Sequence, residues 1–172
     1  MRVLSAHRRR NAQSRAFLTT AHLLHLMAAV LHQDRDLLDL AIQHYESALL
    51  LEPERPDVLR NLGLAFAATG ETDRARVTYE RAFAHTPSDP VLLKNMGELR
   101  YRMRDTQGAA ELYRAAIRQD ACLVSASFGL GTVLQAQGHV EEAQQVLRRA
   151  AACPSASSET AYHVGLALSN RG

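Results

Sequence analysis

A period of 34 residues is the feature that most limits what this chain can fold into. Between Leu59 and Pro87 small and large apolar residues stand at fixed offsets: Leu59, Leu62, Gly63, Phe66, Gly70, Ala75, Tyr79, Ala82 and Pro87. One period on, Leu93, Met96, Gly97, Ala109, Tyr113 and Ala116 return, and a second period brings Leu130, Gly131, Leu134, Gly138, Ala143, Leu147 and Ala150. One period back, Ala41, Tyr45, Ala48 and Pro53 occupy the same columns. A unit this short cannot bury a core alone, so copies must stack on one another.

Each column has a physical reason. Leu59, Leu62, Gly63 and Phe66 recur at helical spacing and share one face of a first helix. Gly70 ends that helix, because glycine takes the left-handed conformation without steric cost. Thr72 and Asp73 suit the start of a second helix. Ala75 and Ala82 lie two turns apart on one side, where small residues let backbones approach, and Tyr79 fills the space between them. Pro87 cannot continue the helix and closes the unit.

On these residues the chain resembles the tetratricopeptide repeat family over roughly residues 21–172. The resemblance implies an all-α fold, a right-handed α-α superhelix or solenoid of about four and a half tetratricopeptide repeats, with nine legible helices. It also implies a role in binding proteins or peptides, and no catalysis. The expected repeats are 21–55, 56–89, 90–123, 124–157 and a partial 158–172, after a basic tail over 1–20. The third opens with Asp89 and Pro90, an N-cap followed by proline at the first helical position. It departs from the pattern in carrying Arg104 where the second unit has Gly70.

Composition adds little to this. The net charge is +2. Residues 1–33 hold five arginines and no acid, whereas the remainder holds 15 basic against 18 acidic residues, and Lys94 is the single lysine. The net-acidic repeats argue against nucleic acid as a partner. The apolar run over residues 16–31 contains His22 and His25 and has no clear cleavage site, so it reads as the first helix of repeat one rather than a signal peptide. No run is long enough to span a membrane. Cys122 and Cys153 match no disulfide or metal spacing. They fall near the ends of second helices in successive units, about 10 Å apart by helix packing, wider than a disulfide closes. Free thiols and a cytoplasmic location are expected.

No catalytic or cofactor site is expected. His22, His25, His32 and His44 lack a converging ligand set for a metal. The GLG of Gly129, Leu130 and Gly131 follows no strand and is not a phosphate loop. Glu141 and Glu142 begin a helix, where carboxylates favour the dipole.

The expected working surface is the concave face that the family's first helices line. Its residues are Arg60 and Asn61 in unit two, Lys94, Asn95, Glu98, Tyr101 and Arg102 in unit three, and Phe128, Thr132 and Gln135 in unit four. The amides of Asn61 and Asn95 stand in equivalent positions and could bond the backbone of an extended peptide. Some family members grip a terminal carboxylate with basic residues and asparagines on three first helices. Here Asn95 fits that pattern, but Leu64, Ser125 and Gly129 do not. The chain therefore reads as a protein-interaction scaffold binding a peptide or partner helix. The alternative is a substrate-recruiting repeat arm of a larger enzyme. The last helix, Ser158 to Gly172, is apolar around most of its circumference, so continuation of the array or self-association through this end is expected.

Overall fold

The computed structural model describes residues 35–154, and every regular element there is helical. Seven helices follow in order: α1 Arg35–Leu51, α2 Pro56–Thr69, α3 Thr72–His85, α4 Pro90–Arg102, α5 Thr106–Gln119, α6 Val124–Ala136 and α7 Val140–Ala151. The expected first helix of repeat one, the basic tail, His22, His25 and the Ser158–Gly172 helix lie outside the described residues. The chain divides into two compact units, residues 1–85 and 86–172.

In the first unit α2 and α3 form a hairpin on which α1 packs. Gly70 caps α2 at φ 85°. Its N–H and that of Glu71 bond back to Ala67 and Phe66, closing the helix end. Leu59, Leu62, Gly63 and Phe66 are buried as their columns require, and so are Ala75, Tyr79 and Ala82 on α3. Gly63 is where the helices come closest, since a Cβ there would lie 2.5 Å from the Tyr79 ring. Arg74 stacks over Phe66, 3.9 Å from the ring centroid.

The second unit repeats the design with α4–α5 and α6–α7. Asp89 caps α4 by accepting from the N–H groups of Val91 and Leu92, with Pro90 following. Asp105 caps α5 through Gly108 N–H at 2.9 Å. At the turn after α4, Arg104 takes the left-handed conformation at φ 66° that Gly70 and Gly138 take elsewhere. A side chain there costs about 1 kcal/mol. The unit keeps the turn because Arg104 N–H and Asp105 N–H still bond to Tyr101 and Arg100, 3.0 Å each. Gly97 faces the Tyr113 ring and Gly131 faces Leu147, each placing a Cβ 3.0 Å from its partner. The glycine column is thus a notch for the bulky residue of the second helix.

Second helices meet through columns that the two units share. In the first unit Glu46 of α1 pairs with Arg74 of α3 at 2.6 Å. In the second, Arg114 of α5 pairs with Glu142 of α7 at 2.7 Å. These are the same repeat positions with the charges exchanged. Further along, Glu54 meets Arg81 at 2.8 Å and His85 at 3.2 Å. The Arg81 hydrogen bond is the main reason the Glu54 carboxyl titrates below its usual range.

Two periods on from Glu54 and His85 stand Cys122 and Cys153, and they are joined by a disulfide. The expectation of two free thiols is therefore wrong. Helix-axis spacing misleads here because both cysteines sit just past their helices: Cys122 follows α5 and Cys153 follows α7. Chain leaving one helix turns toward its neighbour, and the two Cα atoms come to 5.5 Å, within the reach of a disulfide.

Candidate protein-binding face

In a stacked repeat the first helix has neighbours on more than one side, so its buried arc is wider than a single stripe. On α4 the second stripe is Leu92, Asn95 and Leu99; on α6 it is Ala126, Gly129 and Val133. This corrects the expectation for Asn95, which is not a solvated groove residue but 4% exposed. Its Oδ1 is buried with no hydrogen-bond partner among the described residues. Gly129, one period on, is half-buried, and a Cβ there would strike the Tyr113 ring.

What remains outside the stripes in the second unit is a mixed polar and aromatic face. Arg102 donates to Glu98 at 2.6 Å, and the Lys94 ammonium lies 3.9 Å from the same carboxylate. Lys94 is half-buried, and desolvation pulls its pKa down against the opposing pull of Glu98. Tyr101 is exposed beside Arg102, and Phe128 on α6 is half-buried. Thr132 and Gln135 are exposed, the Thr132 hydroxyl donating back to the Phe128 carbonyl at 3.1 Å.

Tyr113 of α5 is the hub beneath this face, and sequence reasoning assigned it to the core alone. Its ring fits between the Gly97 notch and Gly129. Burial pushes its hydroxyl up to about 12, with Glu98 adding in the same direction and Arg102 opposing. The hydroxyl thus senses the charges of the α4 surface while the ring holds α4 and α6 at a fixed distance. A signal existed in the sequence: Gly97 and Gly129 both lack a side chain on the two helices that flank one bulky ring.

In the first unit Arg60 and Asn61 lie on α2, both half-buried. A cleft of about 560 Å³ opens there between α1 and α3, with Leu50, Phe66, Asp73, Arg74 and Val77 among its walls. Neither Arg60 nor Asn61 lines it. Among the described residues no group of histidine, cysteine or carboxylate side chains could hold a metal ion.

The tetratricopeptide repeat model matches residues 26–90 and 94–157. The chain belongs to the tetratricopeptide repeat family. Its fold class is the all-α repeat solenoid. The curated relatives it matches include a photosystem I assembly protein Ycf3 of Synechococcus sp. (strain WH7803), 35% identical over 95 residues, 45% of this chain and 55% of that protein. The Ycf3 of Prochlorococcus marinus (strain NATL1A) is 34% identical over the same length and shares. The chain thus spans about half the length of the curated relatives it matches. Among solved structures it is similar to MamA, with a TM-score of 0.65 at 18% identity over 78% of this chain and 79% of that one. It is also similar to the first tetratricopeptide domain of Spaghetti (RPAP3) bound to an HSP90 peptide, with a TM-score of 0.59 at 20% identity over 65% and 91% of the two chains. Tetratricopeptide repeats are protein–protein interaction modules, and the curated relatives the chain matches are named for the assembly of photosystem I.

Proposed function

We propose that the face formed by α4 and α6 takes an extended segment of a partner protein. Lys94, Glu98 and Arg102 supply the polar contacts, with an excess of one positive charge for backbone carbonyls or an acidic side chain. Tyr101 and Phe128 receive an apolar side chain, and Thr132 and Gln135 border it. On α2, Arg60 and Asn61 stand in the columns of Lys94 and Asn95 and are proposed for the same kind of contact in the first unit. The relatives' name supports placing this scaffold role in the assembly of a multi-subunit protein complex. A cytoplasmic location is part of the same proposal; among the described residues no helix is long and apolar enough to cross a membrane.

The observation that carries the proposal is the orphaned Oδ1 of Asn95. A buried acceptor without a donor costs about 1–3 kcal/mol, and native folds retain few of them. A donor on a partner's backbone that reached Oδ1 would relieve that cost. A small outward turn of the carboxamide would present both its acceptor and its donors to a peptide backbone.

Asn95→Leu tests this, because it separates stability from binding. The substitution keeps the branching at Cγ and removes the orphan, so the denaturation midpoint is expected to hold or rise, by about 1 kcal/mol. Affinity for a partner captured from native extract, measured by titration with the purified partner, is expected to fall about tenfold. A large loss of stability with unchanged affinity would make Asn95 a structural residue and remove the support for this face.

A further inference from the structure

We propose that the Cys122–Cys153 disulfide is a redox-operated staple that sets how firmly α7 is held to the rest of the second unit. The repeat geometry itself brings the two columns together. In the first unit the same positions hold Glu54 and His85, whose side chains meet at 3.2 Å. Replacing that pair by two cysteines converts a contact made and broken freely into one controlled by electron transfer.

The location gives the bond leverage. Among the described residues, α5 and α7 and the turns after them are linked by the Arg114–Glu142 ion pair, a contact of Cys153 Sγ with the Ala121 carbonyl, and the disulfide. The ion pair is solvent-exposed and adds little. The disulfide closes a separation of 31 residues that contains all of α6 and α7. Opening it returns to the chain the freedom of a loop of that length. Apart from the bond, α7 buries Ala143, Leu147 and Ala150, with Leu147 against Gly131 of α6. Reduction therefore loosens the helix and leaves it able to close again. Both cysteines are partly exposed, as thiol–disulfide exchange requires. They are also the chain's only cysteines, so the pair has no internal competitor.

Closure needs an incoming disulfide, R–S–S–R, such as oxidised glutathione or a dithiol carrier protein in its oxidised form. One cysteine thiolate attacks, releasing one RSH and leaving a mixed disulfide. The second thiolate then displaces the other RSH. One S–S bond breaks and one forms, two electrons pass from the cysteines to the carrier, and the two thiol protons leave on the released RSH molecules.

The test uses the full chain, equilibrated with oxidised glutathione or with dithiothreitol, and reads alkylation mass together with hydrogen exchange. The oxidised protein is expected to take up no iodoacetamide and the reduced protein to take up two. On reduction, amides of residues 140–153 are expected to exchange on the order of 100-fold faster. Residues 35–85 should stay unchanged, the helical circular dichroism should be retained, and reoxidation should restore protection. Cys122→Ser should exchange like the reduced protein under both conditions. Two thiols still alkylatable in oxidised glutathione, or exchange indifferent to reduction, would overturn the proposal. Loss of the whole helical signal on reduction would also overturn it, by making the bond a condition of folding rather than a switch.

Discussion

Tyr113→Ala is expected to lower stability by about 3–5 kcal/mol, the usual range for truncating a buried aromatic ring. The ring fills the Gly97 notch of α4 and lies against Gly129 of α6, and glycines offer no side chain that could swing into the cavity. With typical domain stabilities of about 5–15 kcal/mol, one such loss would take much of the second unit's margin. Tyr101→Ala is the matched control: that ring is exposed, and its removal should stay within about 0.5 kcal/mol. Urea midpoints for the two variants settle the matter. Equal midpoints would mean that Tyr113 does not hold α4 and α6 apart.

Alkaline titration is expected to give the other large effect. Burial pushes the hydroxyls of Tyr45 and Tyr113 up to about 12. The folded state therefore holds these protons more tightly than the unfolded chain, whose tyrosines titrate near 10. Their contribution is complete below about pH 10 and is lost as pH rises toward 12. Each can remove up to about 2.7 kcal/mol, two units at about 1.36 kcal/mol apiece. Lys94 acts in the opposite direction. Its folded-state pKa is lowered, chiefly by desolvation, so the fold gains stability as pH rises through that window. It is the chain's one lysine, which keeps this offset small. With the disulfide closed, chemical unfolding at pH 9 and pH 11.5 should show the fall. Tyr45→Phe and Tyr113→Phe should each flatten part of it. A stability curve level to pH 12 would contradict the burial of both hydroxyls.

The repeat columns were legible in the sequence because each packing site demands a residue of a particular size. Gly63 must be small where Tyr79 is large, and the same pairing recurs at Gly97 with Tyr113 and at Gly131 with Leu147. Turn residues were legible for a similar reason, except at Arg104, where backbone bonds enforce the left-handed turn without a glycine. The second buried stripe was not legible. Asn95 is not hydrophobic, so a single-stripe reading of α4 placed it on the open concave face. Periodicity reports what a helix buries against its strongest neighbour, and a helix with two neighbours needs two stripes. The cysteine pair was missed for a geometric reason: a spacing that holds between helix axes fails for residues in the turns beyond the helix ends. The Glu54–His85 column, read two periods on, contained the clue.

Site-specific photo-crosslinking tests the central claim most directly. A benzophenone side chain is placed singly at Tyr101 or Thr132 on the proposed face, or at exposed Arg118 or Gln145 on the second helices, and irradiated in native extract. The account predicts that Tyr101 and Thr132 yield adducts with the same partner protein, whereas Arg118 and Gln145 yield none. Adducts from Arg118 and Gln145 alone would contradict it and move the working surface to the second helices.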